Sequence, residues 1–77
     1  MIFVYAIKSL AHNYIYVGMT NNLRRRLDEH NCRKNRSTKA YCPFIMIYNK
    51  SFPDRISARE YEKYLKSGVG KEFLKRL

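Results

Sequence analysis

FVYAIKS, Phe3 to Ser9, and YIYVGMTNNLRRRLDEH, Tyr14 to His30, are the two stretches on which the fold turns. The first, with Ile2 ahead of it, is rich in β-branched and aromatic residues and reads as a strand over Ile2 to Lys8. Tyr14 to Val17 reads as a second strand, and the Ala-His-Asn within Leu10 to Asn13 suits the turn of a hairpin. Gly18 closes that strand, where a residue without a Cβ lets the chain turn or approach a neighbour closely. Thr20, Asn21 and Asn22 then offer N-cap side chains to a helix over about Leu23 to Asn31.

On that helix Leu23 and Leu27 lie one turn apart and mark the inner face. Arg26 follows Leu23, and His30 follows Leu27, at the spacing that puts all four on one side, whereas Arg24, Arg25, Asp28 and Glu29 fan outward. Taken singly, each polar residue has an ordinary structural role. An arginine beside a core lays its stem on apolar surface while its head reaches water, and a lone histidine there is more often a satisfied core residue than a catalyst. As a pair aimed at the strand ends that carry Tyr5 and Tyr16, they exceed what folding requires.

Farther along, Cys32 to Tyr41 is polar, basic and aperiodic, and reads as a loop. PFIMIY, Pro43 to Tyr48, is a continuous apolar run of strand length, consistent with a buried strand that tolerates proline at its start. Pro53 and Asp54 signal a turn, and Ser57 with Glu60 makes a capping-box pattern for a second helix running to about Lys66. Gly68 and Gly70 break it, leaving a short third helix over Lys71 to Leu77. The expected fold is therefore α+β: a small three-stranded antiparallel sheet flanked by helices, in the order β-β-α-β-α-α, as one domain over residues 1–77.

On the second helix Ala58, Tyr61 and Leu65 recur at helical spacing, and Glu62 falls among them. An ionised carboxylate on that face is costly unless it is paired or bound to a metal. Its plain structural role is a pair with Lys66, one turn on, worth a few tenths of a kcal/mol.

Sixteen Lys and Arg against six Asp and Glu give a formal net charge of +10, which points to a polyanionic partner, most simply nucleic acid. No apolar run is long enough to cross a bilayer, and MIFVYAIKS lacks a basic n-region and a small-residue cleavage site. A cytoplasmic protein without membrane contact is expected. Cys32 and Cys42 match no zinc spacing and are read as free thiols.

These residues resemble the GIY-YIG nuclease superfamily. The first signature stands here as Phe3-Val4-Tyr5 and the second as Tyr16-Val17-Gly18, with ten residues between the tyrosines. Asn22 to His30 is similar to the family's first helix, and Ala58 to Gly68 to its glutamate helix. Phe3 and Val4 replace the glycine and isoleucine of the first signature, and the polar residue that some members place after the glutamate has no counterpart. The tail Leu65 to Lys75 looks like that of the small stand-alone bacterial members, and the chain is similar also to the N-terminal incision domain of the nucleotide-excision-repair nuclease subunit.

The resemblance implies a metal-dependent endonuclease with Tyr5, Tyr16, Arg26, His30 and Glu62 as catalytic residues and Mg²⁺, or Mn²⁺, held by Glu62. Tyr5 would orient or deprotonate the attacking water, given positive charge nearby to lower its pKa, and His30 would accept the tyrosine proton. DNA, double-stranded or branched, is the expected partner of an expected monomer, with room for a protein partner that supplies specificity. Phosphate contacts are expected from Arg24, Arg25, Arg33, Lys34, Arg36, Thr38, Lys39, Lys66 and Lys71, with Ser37 as a further donor. Two other readings compete: a non-catalytic nucleic-acid-binding module of the same fold, and a small basic ribosome-associated protein.

Overall fold

The strand over Ile2–Ser9, β1, pairs on both sides in the computed structural model, which describes residues 1–77. Its neighbours are β2, Ile15–Thr20, and β3, Phe44–Phe52, both antiparallel to it, so the sheet order is β2-β1-β3. Val4, Tyr5, Ala6 and Ile7 are buried in succession, as expected of a strand covered on both faces. The other elements are α1, Leu23–Asn31, a 3₁₀ turn at Lys39–Tyr41, α2, Arg55–Lys66, and α3, Gly68–Lys75. The α+β class and the β-β-α-β-α-α order expected from the sequence are both present.

Strand alternation sorts β1 between two layers. Val4 and Ala6 point with Val17 toward Ala58 and Leu65 of α2 and Leu74 of α3. Burying Leu65 and Leu74 contributes about 1.5–3 kcal/mol each relative to exposure. Tyr5 and Ile7 point the other way, packing with Phe44 against Leu23 and Leu27 of α1. The Asn31 amide joins α1 to β3: its oxygen accepts from the Phe44 N–H at 2.7 Å, and its Nδ2 donates to the Phe44 carbonyl at 3.2 Å.

Asn22 caps α1 as expected, its side chain accepting from the Arg25 N–H at 3.1 Å. Four local expectations need correction. Gly18 does not end β2, which continues to Thr20 because Phe3 and Val4 of β1 still offer partners there. The apolar run Pro43 to Tyr48 is not a strand buried on both sides. It opens β3, an edge strand that extends to Phe52 and leaves Ile45 exposed, because β1 takes the central place. Asp54, not Ser57, caps α2: it accepts from the Ser57 N–H at 2.8 Å, so the helix starts at Arg55.

Gly68 and Gly70 do not lie in a break but open α3, which ends at Lys75 and is capped by Ser67. A Cβ on Gly70 would overlap the backbone of Tyr64 and Leu65. That position is glycine because two helices meet there at van der Waals contact.

Candidate active site

Tyr5 sits on the central strand, directly across from Gly18 of β2. The pairing explains the glycine: a Cβ there would lie 2.8 Å from Tyr5 Oη and 3.0 Å from Tyr16 Cε2. The missing side chain lets the two tyrosine rings come together, with centroids 6.3 Å apart, while the His30 ring lies 5.0 Å from that of Tyr16. The helical spacing that put Arg26 and His30 beside Leu23 and Leu27 delivers both to the Tyr5 hydroxyl. Arg26 Nε donates to Tyr5 Oη at 3.3 Å, and His30 Nε2 lies 2.9 Å from the same oxygen.

Tyr5 is only 1% exposed and His30 not at all. Burial disfavours the charged form of each group, in opposite pKa directions. Loss of solvation pushes the Tyr5 phenol up to about 12, even though the Arg26 hydrogen bond pulls the other way. Burial, with the Arg26 charge second, pushes His30 down to about 4. The expectation that positive charge would lower Tyr5 is therefore corrected, because desolvation outweighs Arg26. Near neutral pH the proton stays on Tyr5, and His30 is an uncharged imidazole.

Arg26 has a second partner. Its Nη1 donates to Glu29 Oε1 at 3.0 Å, and Arg25 stands 3.9 Å from the other oxygen of that carboxylate. Glu29 does not fan free into solvent as its place on the helix predicted, because the neighbouring guanidinium draws it back. Arg26 Nη2 keeps its two hydrogens without a protein acceptor. Guanidinium donors aimed beside a phenol are suited to a phosphate oxygen.

Glu62 stands apart from this cluster. It belongs to α2, which covers the other face of the sheet, and makes no hydrogen bond to Tyr5, Tyr16, Arg26 or His30. Its partner is Lys66 Nζ at 3.4 Å, the pair open to it from spacing alone. Its field still reaches the cluster, for its negative charge is among those that raise Tyr5. No three His, Cys, Asp or Glu side chains gather in coordinating geometry. A single half-buried carboxylate, paired only with an exposed lysine, fits Mg²⁺, a hard ion that keeps most of its waters, rather than an ion needing a full protein cage.

Of the expected phosphate contacts, Arg24, Arg25, Arg33, Lys34, Arg36, Lys39, Lys66 and Lys71 are all exposed. Thr38 is a correction: it is completely buried, with Oγ1 2.7 Å from His30 Nδ1, and presents nothing to a phosphate. Its loop folds back over α1, and no local periodicity in Cys32 to Tyr41 announces this. Lys66 and Lys71, with Lys75, rim a cleft of about 460 Å³ that runs along β2 past Tyr14 and Tyr16 over a floor containing Leu65 and Leu74. Tyr16 thus belongs both to this cleft and to the Tyr5–His30 cluster.

Comparison with known proteins agrees with this fold. The chain is similar to a UPF0213 protein of Nitratidesulfovibrio vulgaris, 38% identical over 65 residues that make up 83% of this chain and 58% of that protein. It is similar to a second from Desulfotalea psychrophila, 33% identical over 66 residues, covering 83% of this chain and 59% of the relative. A third, from Staphylococcus haemolyticus, is 35% identical over 63 residues, 78% of this chain and 76% of the relative. The chain therefore spans little more than half the length of the first two. The solution NMR structure of a UPF0213 protein from Bacillus halodurans matches with a TM-score of 0.56 at 28% identity, over 96% of this chain and 82% of that one. The model of the GIY-YIG catalytic domain covers residues 1–75 and so takes in every strand and helix described above. The chain belongs to the GIY-YIG family and carries its nuclease-type fold.

Proposed function

We propose that this protein is a divalent-metal-dependent endonuclease that hydrolyses DNA phosphodiester bonds, acting on duplex or branched DNA in repair or recombination. The observation that carries the reading is the convergence of Arg26 Nε and His30 Nε2 on one buried phenol, Tyr5 Oη, at 3.3 and 2.9 Å. Folding alone does not call for an arginine, a histidine and a tyrosine hydroxyl joined beside a second tyrosine, whereas phosphodiester hydrolysis uses donors for phosphate charge and an acceptor for a water proton.

The phosphate would enter beside Arg26, whose free Nη2 donates to a non-bridging oxygen as negative charge builds. Glu29 holds that guanidinium in place from its other side. As the water attacks, its proton passes to Tyr5 Oη while the Tyr5 proton passes to the neutral His30, 2.9 Å away, and His30 releases it to solvent after the 3′-oxygen has left. Tyr16, which lines the cleft, positions water or phosphate. Mg²⁺ or Mn²⁺ on Glu62 would supply Lewis-acid charge relief at the phosphate and the leaving 3′-oxygen. The exposed basic residues of α1, the Arg33 to Lys39 loop and the lysine-rimmed cleft contact backbone phosphates, which position DNA without reading its sequence. The protein works as a cytoplasmic monomer, with specificity drawn from DNA structure or from a protein partner.

One observation favours the non-catalytic reading: Lys66 neutralises Glu62, as a pure binder of polyanions would prefer. Incubation with supercoiled plasmid and with branched DNA, in Mg²⁺, Mn²⁺ or EDTA, separates the two. The nuclease reading expects wild-type cleavage only with metal, and none from Glu62→Ala. It also expects Arg26→Ala to lose the roughly 3–4 kcal/mol typical of a transition-state donor. Absence of cutting by the wild type on every substrate and ion would leave the binding module as the better account, and normal cutting by both Glu62→Ala and Tyr5→Phe would show that this site is not where the chemistry is done.

A further inference from the structure

The hydrogen bonds beyond Tyr5 run inward, away from the substrate side. His30 Nε2 lies 2.9 Å from Tyr5 Oη, His30 Nδ1 lies 2.7 Å from Thr38 Oγ1, and Thr38 Oγ1 lies 3.5 Å from the Asn35 carbonyl oxygen. His30 and Thr38 are both wholly buried, and no buried side-chain nitrogen or oxygen in the protein lacks a partner. A neutral imidazole has one donor nitrogen and one acceptor nitrogen, so the chain can be polarised in only two ways.

With the hydrogen on Nε2, Tyr5 Oη receives N–H groups from both His30 and Arg26. Both of its lone pairs are then occupied, and its own hydrogen has no acceptor in the protein. With the hydrogen on Nδ1, His30 donates to Thr38 Oγ1, and the Thr38 hydroxyl turns toward Asn35. Nε2 then accepts the Tyr5 proton, and Tyr5 Oη keeps one lone pair beyond the one given to Arg26. Phenol is a stronger hydrogen-bond donor than an aliphatic alcohol, and a guanidinium donating into its oxygen strengthens it further. The better donor takes the imidazole lone pair, which selects the second arrangement.

We propose that Thr38 is a positioning residue that holds His30 in its Nδ1–H tautomer and thereby leaves one lone pair of Tyr5 Oη available to the attacking water. The catalytic consequence rests on the nuclease reading; the tautomer does not. Thr38 acts through His30 and touches no reacting atom. In the opposite tautomer Tyr5 would present a hydrogen where the water needs an acceptor.

The test is a two-bond ¹⁵N–¹H correlation of the imidazole nitrogens near neutral pH, in wild type, Thr38→Val and Thr38→Ser. Valine matches threonine in shape and lacks the hydroxyl; serine keeps it. Wild type and Thr38→Ser should show Nδ1 protonated and Nε2 bare. Thr38→Val should move the hydrogen to Nε2, since a buried Nδ1–H would have no acceptor. Plasmid cleavage should then fall roughly 10–100-fold in kcat for Thr38→Val, taking as a guide the range seen when the outer partner that orients a metal-ligating histidine is removed. KM should stay unchanged, and Thr38→Ser should restore the rate. A wild type protonated on Nε2, or a Thr38→Val protein still protonated on Nδ1, overturns the proposal. The wild-type spectrum alone decides the tautomer even if the valine variant does not fold, or if no DNA is ever cut.

Discussion

Acidification from about pH 7.5 to about pH 5 should destabilise the protein through one side chain, His30. Its imidazole is completely buried between Tyr5 and Thr38, and burial together with the Arg26 charge holds it at about 4, against 6.5 for a free histidine. Glu29 pulls the other way and does not win. Between those two values the unfolded chain binds a proton that the folded protein refuses. Stability therefore rises with pH across the window and is lost as pH falls from about 6.5 toward 4.

The slope is about 1.4 kcal/mol per pH unit inside the window, which gives a loss of about 2 kcal/mol by pH 5 and about 3 kcal/mol by pH 4. A domain of this length holds about 4–11 kcal/mol in total, so the loss is a sizeable share. Urea titrations followed by far-UV circular dichroism should show the midpoint falling by about 1–2 M between pH 7.5 and 5. Glu29 and Asp54, both held below their ordinary values, lose their contribution only as pH falls through the carboxylate range, so the upper window isolates the histidine. A His30→Gln protein should be flat over the same interval. A wild type equally stable at both pH values, or a glutamine variant with the same slope, would refute the reasoning.

Three further outcomes follow from the geometry. Gly18→Ala places a Cβ 2.8 Å from Tyr5 Oη, so the tyrosine rings must shift; the urea midpoint should report a loss of about 1–3 kcal/mol, and cleavage should fall with it. Glu62→Gln should abolish metal-dependent cleavage while DNA affinity in EDTA, read by fluorescence anisotropy, stays the same or rises because a negative charge is gone. Its stability should change by less than about 1 kcal/mol, since the pair it breaks involves a solvent-exposed lysine. Replacing Arg33, Lys34, Arg36 and Lys39 together with glutamine should weaken binding to all sequences alike. It should also flatten the slope of log affinity against log salt by up to about 0.9 for each phosphate no longer neutralised.

Much of the site was legible because its spacing is local. A helical period placed Arg26 and His30 on the face of Leu23 and Leu27, and alternation in β1 put Tyr5 on one side and Val4 on the other. The Asn22 cap was readable for the same reason, and so were Asp54, three residues before the Ser57 it serves, and Glu29, three residues after Arg26. The signals for those last two were present but outranked, Asp54 by the capping-box pattern and Glu29 by its outward place on the helix.

Other features had no signal to read. Which strand is central depends on which edges meet, and an apolar run such as Phe44 to Tyr48 suits an edge strand as well as an inner one. The direction of the Tyr5 pKa was a contest between burial and the Arg26 charge, and only the packed surroundings set how much water is lost. Thr38 is the clearest case. In sequence it is one polar residue in a basic loop; in space it closes over the His30 imidazole at 2.7 Å. Backbone periodicity is a property of neighbours along the chain, and it determined the elements and the faces they present. The partner of a loop side chain is a property of chain closure, and only the tertiary structure decides it.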